Sequence, residues 1–451
     1  MIHCFKYRHN DRDFHFLWDI ESGSLHNVDS ATFFVAKQHY LQLTPAETEQ
    51  YNLISEPEKQ EILDELLVLE QAGTINSPCN VTQKAKHIGE IKALCLHICH
   101  DCNMRCKYCF ADDGTYHTAR CKMSLEVGKK AIDFLIANSG NHHNLEVDFF
   151  GGEPLMNLGV VKQIVSYAKK QEVLFDKKFS FTLTTNCLAL DDKTIDFLNK
   201  EMFNVVLSID GRPEVHNAVR RSINNKDTQD VILKNALKFR AVRGDKSYYV
   251  RGTFTAKNLD FAKDVLYLND SGFDQISIEP VVTTIDDLKI SESHLPQIFE
   301  QYEILAEEYI KRRQTDKWFN FFHFMLDLEG GPCISKRLTG CGAGCEYLSV
   351  TPNGDIYPCH QFAEENGYLI GNVLKGDFCL DISEQFSKNI VTQKEECQKC
   401  FAKYYCSGGC AANNTHYAGN MQNPYKISCE MMRKRFELSL AINAIEGDKN
   451  C

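Results

Sequence analysis

No apolar run in the 451 residues approaches the roughly 18 needed to cross a bilayer, so no membrane span is expected. The start, Met1-Ile2-His3-Cys4-Phe5-Lys6, lacks an apolar core, and no secretory signal is expected either. Nor is there a basic excess: 50 Lys and Arg against 61 Asp and Glu give a formal net charge of −11. A sequence-blind nucleic-acid binder needs a large basic surface, so that class is excluded, although a local basic groove is not. Internal repeats and low-complexity tracts are missing too. With 43% hydrophobic and 25% charged residues the composition is globular, and the length predicts two to four domains of roughly 150 residues. The expectation is a cytoplasmic protein without nucleic-acid or membrane partners.

Cysteine is what the chain has in excess, with twenty. In a small secreted chain they would form disulfides, but this chain is large enough to build a core and shows no export signal. So many thiols in reducing cytosol point to metal.

Residues 1–85 read as a small α/β module. Short strands at 15–20 and 25–28 flank the loop Glu21-Ser-Gly-Ser24. Helices follow from Ser30 to about Leu41, from Thr44-Pro45, and from Ser55, where Ser55-Glu-Pro-Glu58 has the capping-box form. Ile62, Leu63, Leu66, Leu67 and Leu69 make the apolar face of the third, and Gly73 stops it. A hairpin with three helices has the content of a winged helix, or of an N-terminal extension of the next domain.

From 88 to 313 the pattern alternates. Strands are expected at 91–98, 145–150, 179–184, 204–209, 248–255 and 275–280. Helices are expected at 124–138, 158–171, 191–201, 228–243, 258–272 and 293–313, with Asp191 and Asn258 as N-caps. Six βα units in series make an α/β fold around a parallel sheet, open or curled into a partial barrel, with its chemistry at the C-terminal strand ends. A bridging segment covers 314–332. Beyond 333 the periodicity fades while Cys and Gly cluster, so ligation is expected to replace an apolar core, and a helix closes the chain at 431–445.

After the first expected strand comes Cys102-Asn-Met-Arg-Cys106-Lys-Tyr-Cys109. Three thiolates fall one short of a closed zinc site, whereas on a 4Fe–4S cluster they leave one iron open. Zinc stays possible if Cys95, His97 or Cys99 supplies a fourth ligand. Strand two ends in Gly151-Gly-Glu153-Pro154, where glycines let backbone approach a ligand and Glu153 can accept from an ammonium. Strands three and four end in Thr184-Thr-Asn186 and Ser208-Ile-Asp210-Gly211, polar residues suited to hydroxyls and a carboxylate. Singly, each is ordinary turn chemistry.

This combination of CxxxCxxC, an aromatic before the last Cys and GGEP resembles the radical S-adenosylmethionine (SAM) enzymes over 91–310. The resemblance implies a partial (β/α)6 barrel with Cys102, Cys106 and Cys109 on the cluster and SAM chelating its open iron. It further implies Tyr108 near the adenine and Gly151, Gly152 and Glu153 around the methionyl ammonium. Asn186, Ser208, Asp210, Arg251 and Glu279 become candidate cofactor contacts; a salt bridge inside the barrel is the other reading of Arg251. SAM would supply a 5′-deoxyadenosyl radical, and the protein would place one substrate C–H bond against it.

A second array follows: Cys341-Gly-Ala-Gly-Cys345, Gly354 to Cys359, Cys397-Gln-Lys-Cys400, Cys406, Cys410 and Cys429. It resembles the SPASM auxiliary-cluster domain, which implies two more 4Fe–4S clusters. Cys341, Cys359 and Cys410 would hold the first, with Cys345 either its fourth ligand or a bystander that leaves one iron open; Cys397, Cys400, Cys406 and Cys429 would hold the second. Paired zinc sites are the alternative for such knuckles. Cys4, Cys79, Cys95, Cys99, Cys121, Cys187, Cys333, Cys379 and Cys451 read as buried or idle thiols.

The stretch Trp18-Asp-Ile-Glu-Ser-Gly-Ser24 resembles the leader-recognition element of ribosomal-peptide modifying enzymes, and the acidic third helix speaks against DNA. With Tyr248-Tyr-Val-Arg-Gly-Thr-Phe-Thr255 and Cys359-His-Gln-Phe362, the chain resembles the thioether-forming maturases of SCIFF peptides, among the sactipeptide and ranthipeptide synthases. That resemblance implies a Cys-rich precursor peptide with a leader, a reductant such as flavodoxin or ferredoxin, and a substrate thiolate near the first auxiliary cluster. A sulfatase-maturing oxidase and a non-catalytic iron–sulfur electron carrier are the rival readings.

Overall fold

Six parallel strands stand side by side in chain order: Ala93–His100, Asn144–Gly151, Lys178–Thr185, Asn204–Ser208, Tyr248–Phe254 and Gln275–Pro280. The computed structural model describes residues 1–79, 90–328 and 334–447. The helices Leu125–Ala137, Leu158–Phe175, Asp192–Glu201, Gln229–Arg243, Ala262–Asp270 and Leu295–Arg312 follow these strands in turn. The expected α/β barrel is therefore present, with its first strand displaced two residues. Alternation explains the register. Leu145, Val147 and Phe149 point out to the helices and are fully buried, while Asp148 and Phe150 point inward.

Two expectations at helix starts need correction. Asp191 caps its helix by accepting from the Thr194 N–H, but Asn258 does not cap the next helix but one, which begins only after Phe261. Its Oδ1 instead accepts from the Thr255 N–H at 2.8 Å, closing the turn between strand and helix. In the N-terminal module the reciprocal capping box lies at Thr44 and Glu47; Ser55 accepts from the Glu58 N–H without a return bond.

That module contains a strand the pattern analysis missed. Ile2–His9 pairs antiparallel with Arg12–Asp19, which pairs with Leu25–Val28. Asn10 and Asp11, both at positive φ (49° and 61°), form the two-residue turn such a hairpin favours. Helices Ser30–Tyr40, Pro45–Asn52 and Glu56–Gln71 complete it. The hairpin serves two cores. Leu17 packs with Phe33, Phe34, Ile62 and Leu66, whereas Phe16 and Trp18 face the main core.

The cysteine-rich region also holds more regular structure than expected. Tyr347–Val350 adds to the free side of Ala93–His100 in parallel, and three further short strands continue the same sheet. Asn320–Phe321 extends the opposite edge. The closing helix runs over Lys426–Gly447, so Cys429 sits in its first turn rather than before it. Cys333 and Cys451, and the expected boundaries at 85–88 and 332–333, lie outside the described residues.

Candidate functional site

The cysteine loop is held by two neighbours. Met104–Cys106 pairs antiparallel with Arg220–Ser222, and the Cys109 N–H donates to the Cys106 carbonyl at 3.0 Å. Cys102, Cys106 and Cys109 consequently border one cavity of about 560 Å³. Gly152, Asn186, Ser208, Thr253 and Glu279, from the ends of the other five strands, line it too, so the sheet curls around the space. Cys406, Cys410 and Cys429 line the same cavity. Burial pushes the Cys102 and Cys106 thiols up to about 12, with the Arg220 charge pulling Cys106 back.

The paired glycines line the cavity, as expected of a ligand-facing turn, and they also serve the packing of two strand ends. A Cβ on Gly151 would lie 2.4 Å from the Cys99 carbonyl oxygen, and one on Gly152 would lie 2.0 Å from that of Asp101. They let two strand ends close on each other, sealed by Gly152 N–H to Cys99 O at 2.9 Å. Glu153, next in line, is 1% exposed. Burial pushes its carboxyl up, while the Asn186 N–H (2.7 Å), the Leu155 N–H (3.0 Å) and the Thr185 hydroxyl (2.9 Å) stabilise its charge. Asn186 also donates to Asn103 inside the cysteine loop at 2.7 Å.

Asp210 does not line the cavity. It is fully buried behind it, accepting from the Tyr108 hydroxyl at 2.7 Å and the Thr253 N–H at 3.1 Å, with Arg220 at 3.4 Å. Arg251 does line the cavity, where its charge acts on Glu279. Glu279 takes the ionic role. Burial raises its carboxyl, but His323 at 3.2 Å, with Arg251 and Arg435 nearby, holds it well below the usual carboxylate range. Arg220, His323 and Arg435 went unread in the sequence because no motif surrounds them. Each is recruited by topology.

The second array divides in two. Cys397, Cys400, Cys406 and Cys429 line one small recess with Lys403 and Arg433. Cys359 feels the charges of Cys410 and Cys341, whereas the Cys345 Sγ donates to the Ser383 carbonyl at 3.5 Å, with Phe362 and Phe386 in the same apolar cluster. Cys95 and Cys99 are buried away from the cavity, and Cys99 donates to the Glu153 carbonyl at 3.0 Å. His97 is tied to His100 at 3.0 Å. No fourth ligand from the first strand therefore reaches the cysteine loop.

Residues 96–255 match the model of the radical SAM superfamily, and 341–401 match that of an iron–sulfur cluster-binding domain, SPASM. The chain carries a radical SAM domain and a SPASM domain. Among curated proteins it is 23% identical to the radical SAM cyclopropyl synthase TigE of Paramaledivibacter caminithermalis, over 98% of this chain and 94% of that one. It is 22% identical to the cysteine-type anaerobic sulfatase-maturating enzyme of Clostridium novyi, over 76% and 93%. Among solved structures, anSMEcpe with bound AdoMet covers 80% of this chain and 95% of its own at TM-score 0.67 and 20% identity. Streptococcus suis SuiB bound to S-adenosylmethionine covers 91% and 95% at TM-score 0.53 and 17% identity.

The radical SAM and SPASM domains bring SAM and 4Fe–4S clusters as cofactors, and the residues fit them. Among the described residues no three His, Cys, Asp or Glu converge on a point that suits one metal ion. The thiols border spaces instead, as a cluster needs and a zinc ion with sulfur at roughly 2.3 Å does not. No helix among the described residues is long and apolar enough to cross a membrane.

Proposed function

We propose that this chain is a radical SAM peptide maturase that joins a cysteine sulfur to a carbon of an acceptor residue within one ribosomally made precursor. The observation that carries the reading is that one cavity is lined both by Cys102, Cys106 and Cys109 and by Cys406, Cys410 and Cys429. Bound SAM on the first cluster supplies hydrogen abstraction from the substrate. The chain's own part is to hold Cys102, Cys106 and Cys109 by the short strand pair, and to fix the Glu153 carboxyl by its three donors where a ligand ammonium would meet it. Glu279 and Arg251 present fixed opposite charges to the same space.

In this reading residues 1–85 recognise the leader, 88–313 form the radical SAM barrel, 314–332 bridge, and 333–451 carry the two auxiliary clusters. The module's placement supports it. Trp18 donates from its indole N–H to the Phe401 carbonyl at 3.2 Å, and Glu21 pairs with Lys403 at 2.6 Å, both side chains nearly buried. A peptide held on the hairpin therefore lies beside the segment carrying Cys397 to Cys406. SuiB has been solved with its precursor peptide SuiA, over 88% of this chain. A sulfatase-maturating oxidase is the second reading, favoured by the TM-score of 0.67 with anSMEcpe.

The test uses full-length protein, SAM, a reductant such as flavodoxin or ferredoxin, and a Cys-rich peptide with and without its leader. Thioether formation removes two hydrogens, so a product lighter by about 2 mass units, with that cysteine resistant to alkylation and the leader required, supports the maturase. Equal conversion of a leaderless sulfatase peptide to an aldehyde overturns it.

A further inference from the structure

Lys394 is 1% exposed, and its ammonium donates to the Gly408 carbonyl at 2.8 Å. A buried ammonium needs an anion, because desolvation costs several kcal/mol unless a counter-charge offsets it. No carboxylate supplies one among the described residues, and the adjoining Glu395 and Glu396 are exposed. The groups that act on its charge are cysteines: Cys397, Cys406 and Cys429 from one set, Cys410 from the other. Its acceptor, Gly408, lines the recess of Cys397, Cys400, Cys406 and Cys429 and stands two residues before Cys410, so the ammonium sits where the two sets adjoin. Gly408 keeps the approach open. It sits at φ +81°, and a Cβ there would lie 3.1 Å from the Lys394 Nζ.

We propose that Lys394 is the shared counter-ion of the two SPASM cysteine sets, a positioning residue that sets the reduction potentials of both clusters from between them. Thiolate-ligated clusters are anionic, and reduction makes them more so. A fixed positive charge beside them favours the reduced form and raises the potential, as charge and hydrogen bonding do for such clusters generally. The inference rests on assigning these cysteines to two clusters.

The test is an EPR-monitored redox titration of the anaerobically reconstituted full-length protein, with iron counted in each sample. Lys394→Gln keeps a donor for the Gly408 carbonyl without the charge; Lys394→Met keeps the length without either. Both are expected to lower the equilibrium constant for one-electron reduction of the auxiliary clusters at least tenfold, about 59 mV, and to leave the Cys102 cluster unmoved. Wild-type potentials in the iron-replete Gln variant overturn the proposal, as does a shift in the Met variant alone, which would implicate the hydrogen bond. If both lose auxiliary iron, restoration by Lys394→Arg supports the charge and failure to restore it overturns the proposal. A wild-type protein with iron only at the first loop would instead sink the cluster assignment beneath it.

Discussion

The Tyr108 hydroxyl donates to the Asp210 carboxylate at 2.7 Å and accepts from Arg220 at 3.0 Å, which ties the cysteine loop to the end of the fourth barrel strand. Arg220 also pairs its backbone with Cys106. One buried triad thus fixes both the loop and the strand end that faces it. Tyr108, expected near the adenine, lines the cavity and is also an anchor of the loop.

The triad has a measurable asymmetry. Asp210→Ala leaves the Arg220 charge buried without its partner and is expected to cost about 3 kcal/mol or more. Tyr108→Phe removes one hydrogen bond from a pair that otherwise survives and is expected to cost about 1 kcal/mol. Urea unfolding of the two variants checks this. Equal losses would mean that Arg220 finds another anion.

His216 sits behind the same triad, fully buried, with the Asp210 N–H donating to its Nδ1 at 3.3 Å. Burial, with the Arg220 charge second, pulls its pKa from 6.5 down to about 2. The ring is therefore neutral in the folded state and protonates in the unfolded one below 6.5. Its contribution to stability is whole above that value and declines as pH falls toward about 2, by roughly 1.4 kcal/mol per unit. His216→Gln is expected to flatten the stability profile between pH 6.5 and 4. An unchanged slope would place the acid lability elsewhere.

Much of the barrel was legible because apolar residues there recur at strand and helix periods, as Leu145, Val147 and Phe149 do. The chain was harder to read where long-range packing decides. Tyr347-Leu-Ser-Val350 is too short to announce a strand, and becomes one only because Ala93–His100 offers it an edge. At the site, the cysteines were legible from their spacing. Arg220 and His323 were not, since burial against Asp210 and Glu279 creates their roles and no local pattern records it. The glycines of Gly151-Gly-Glu153 were legible as a place of close approach, but their second neighbours, the Cys99 and Asp101 carbonyls, were not.

Replacing Cys102, Cys106 and Cys109 together with Ala is expected to remove roughly a third of the iron, because the chain shows three cysteine sets of comparable size. Dithionite-driven cleavage of SAM should disappear with it. The SPASM sets lie on separate segments, so their iron should remain. Retained SAM cleavage would show that the loop at 102–109 is not where the cofactor works.

The last prediction separates Cys345 from Cys359. Cys359 feels Cys341 and Cys410, while Cys345, in a recess it shares with Cys341, turns its thiol to the Ser383 carbonyl. Gly344 explains the turn: at φ +74° it lets the chain bend beside Phe386, whose ring a Cβ would meet at 2.5 Å. The Ser383 carbonyl and the Phe362 and Phe386 rings give Cys345 a packing role that does not need a cluster. We propose on this ground that Cys341, Cys359 and Cys410 alone hold the first auxiliary set, with a position left for a substrate cysteine. On this argument Cys345→Ala keeps the wild-type iron count and product formation, whereas Cys359→Ala loses the iron of its set and the product together. A closed four-cysteine set predicts instead that the two variants lose iron equally. Iron counts and product masses for both, measured side by side, choose between them, and equal iron loss would return Cys345 to the ligands.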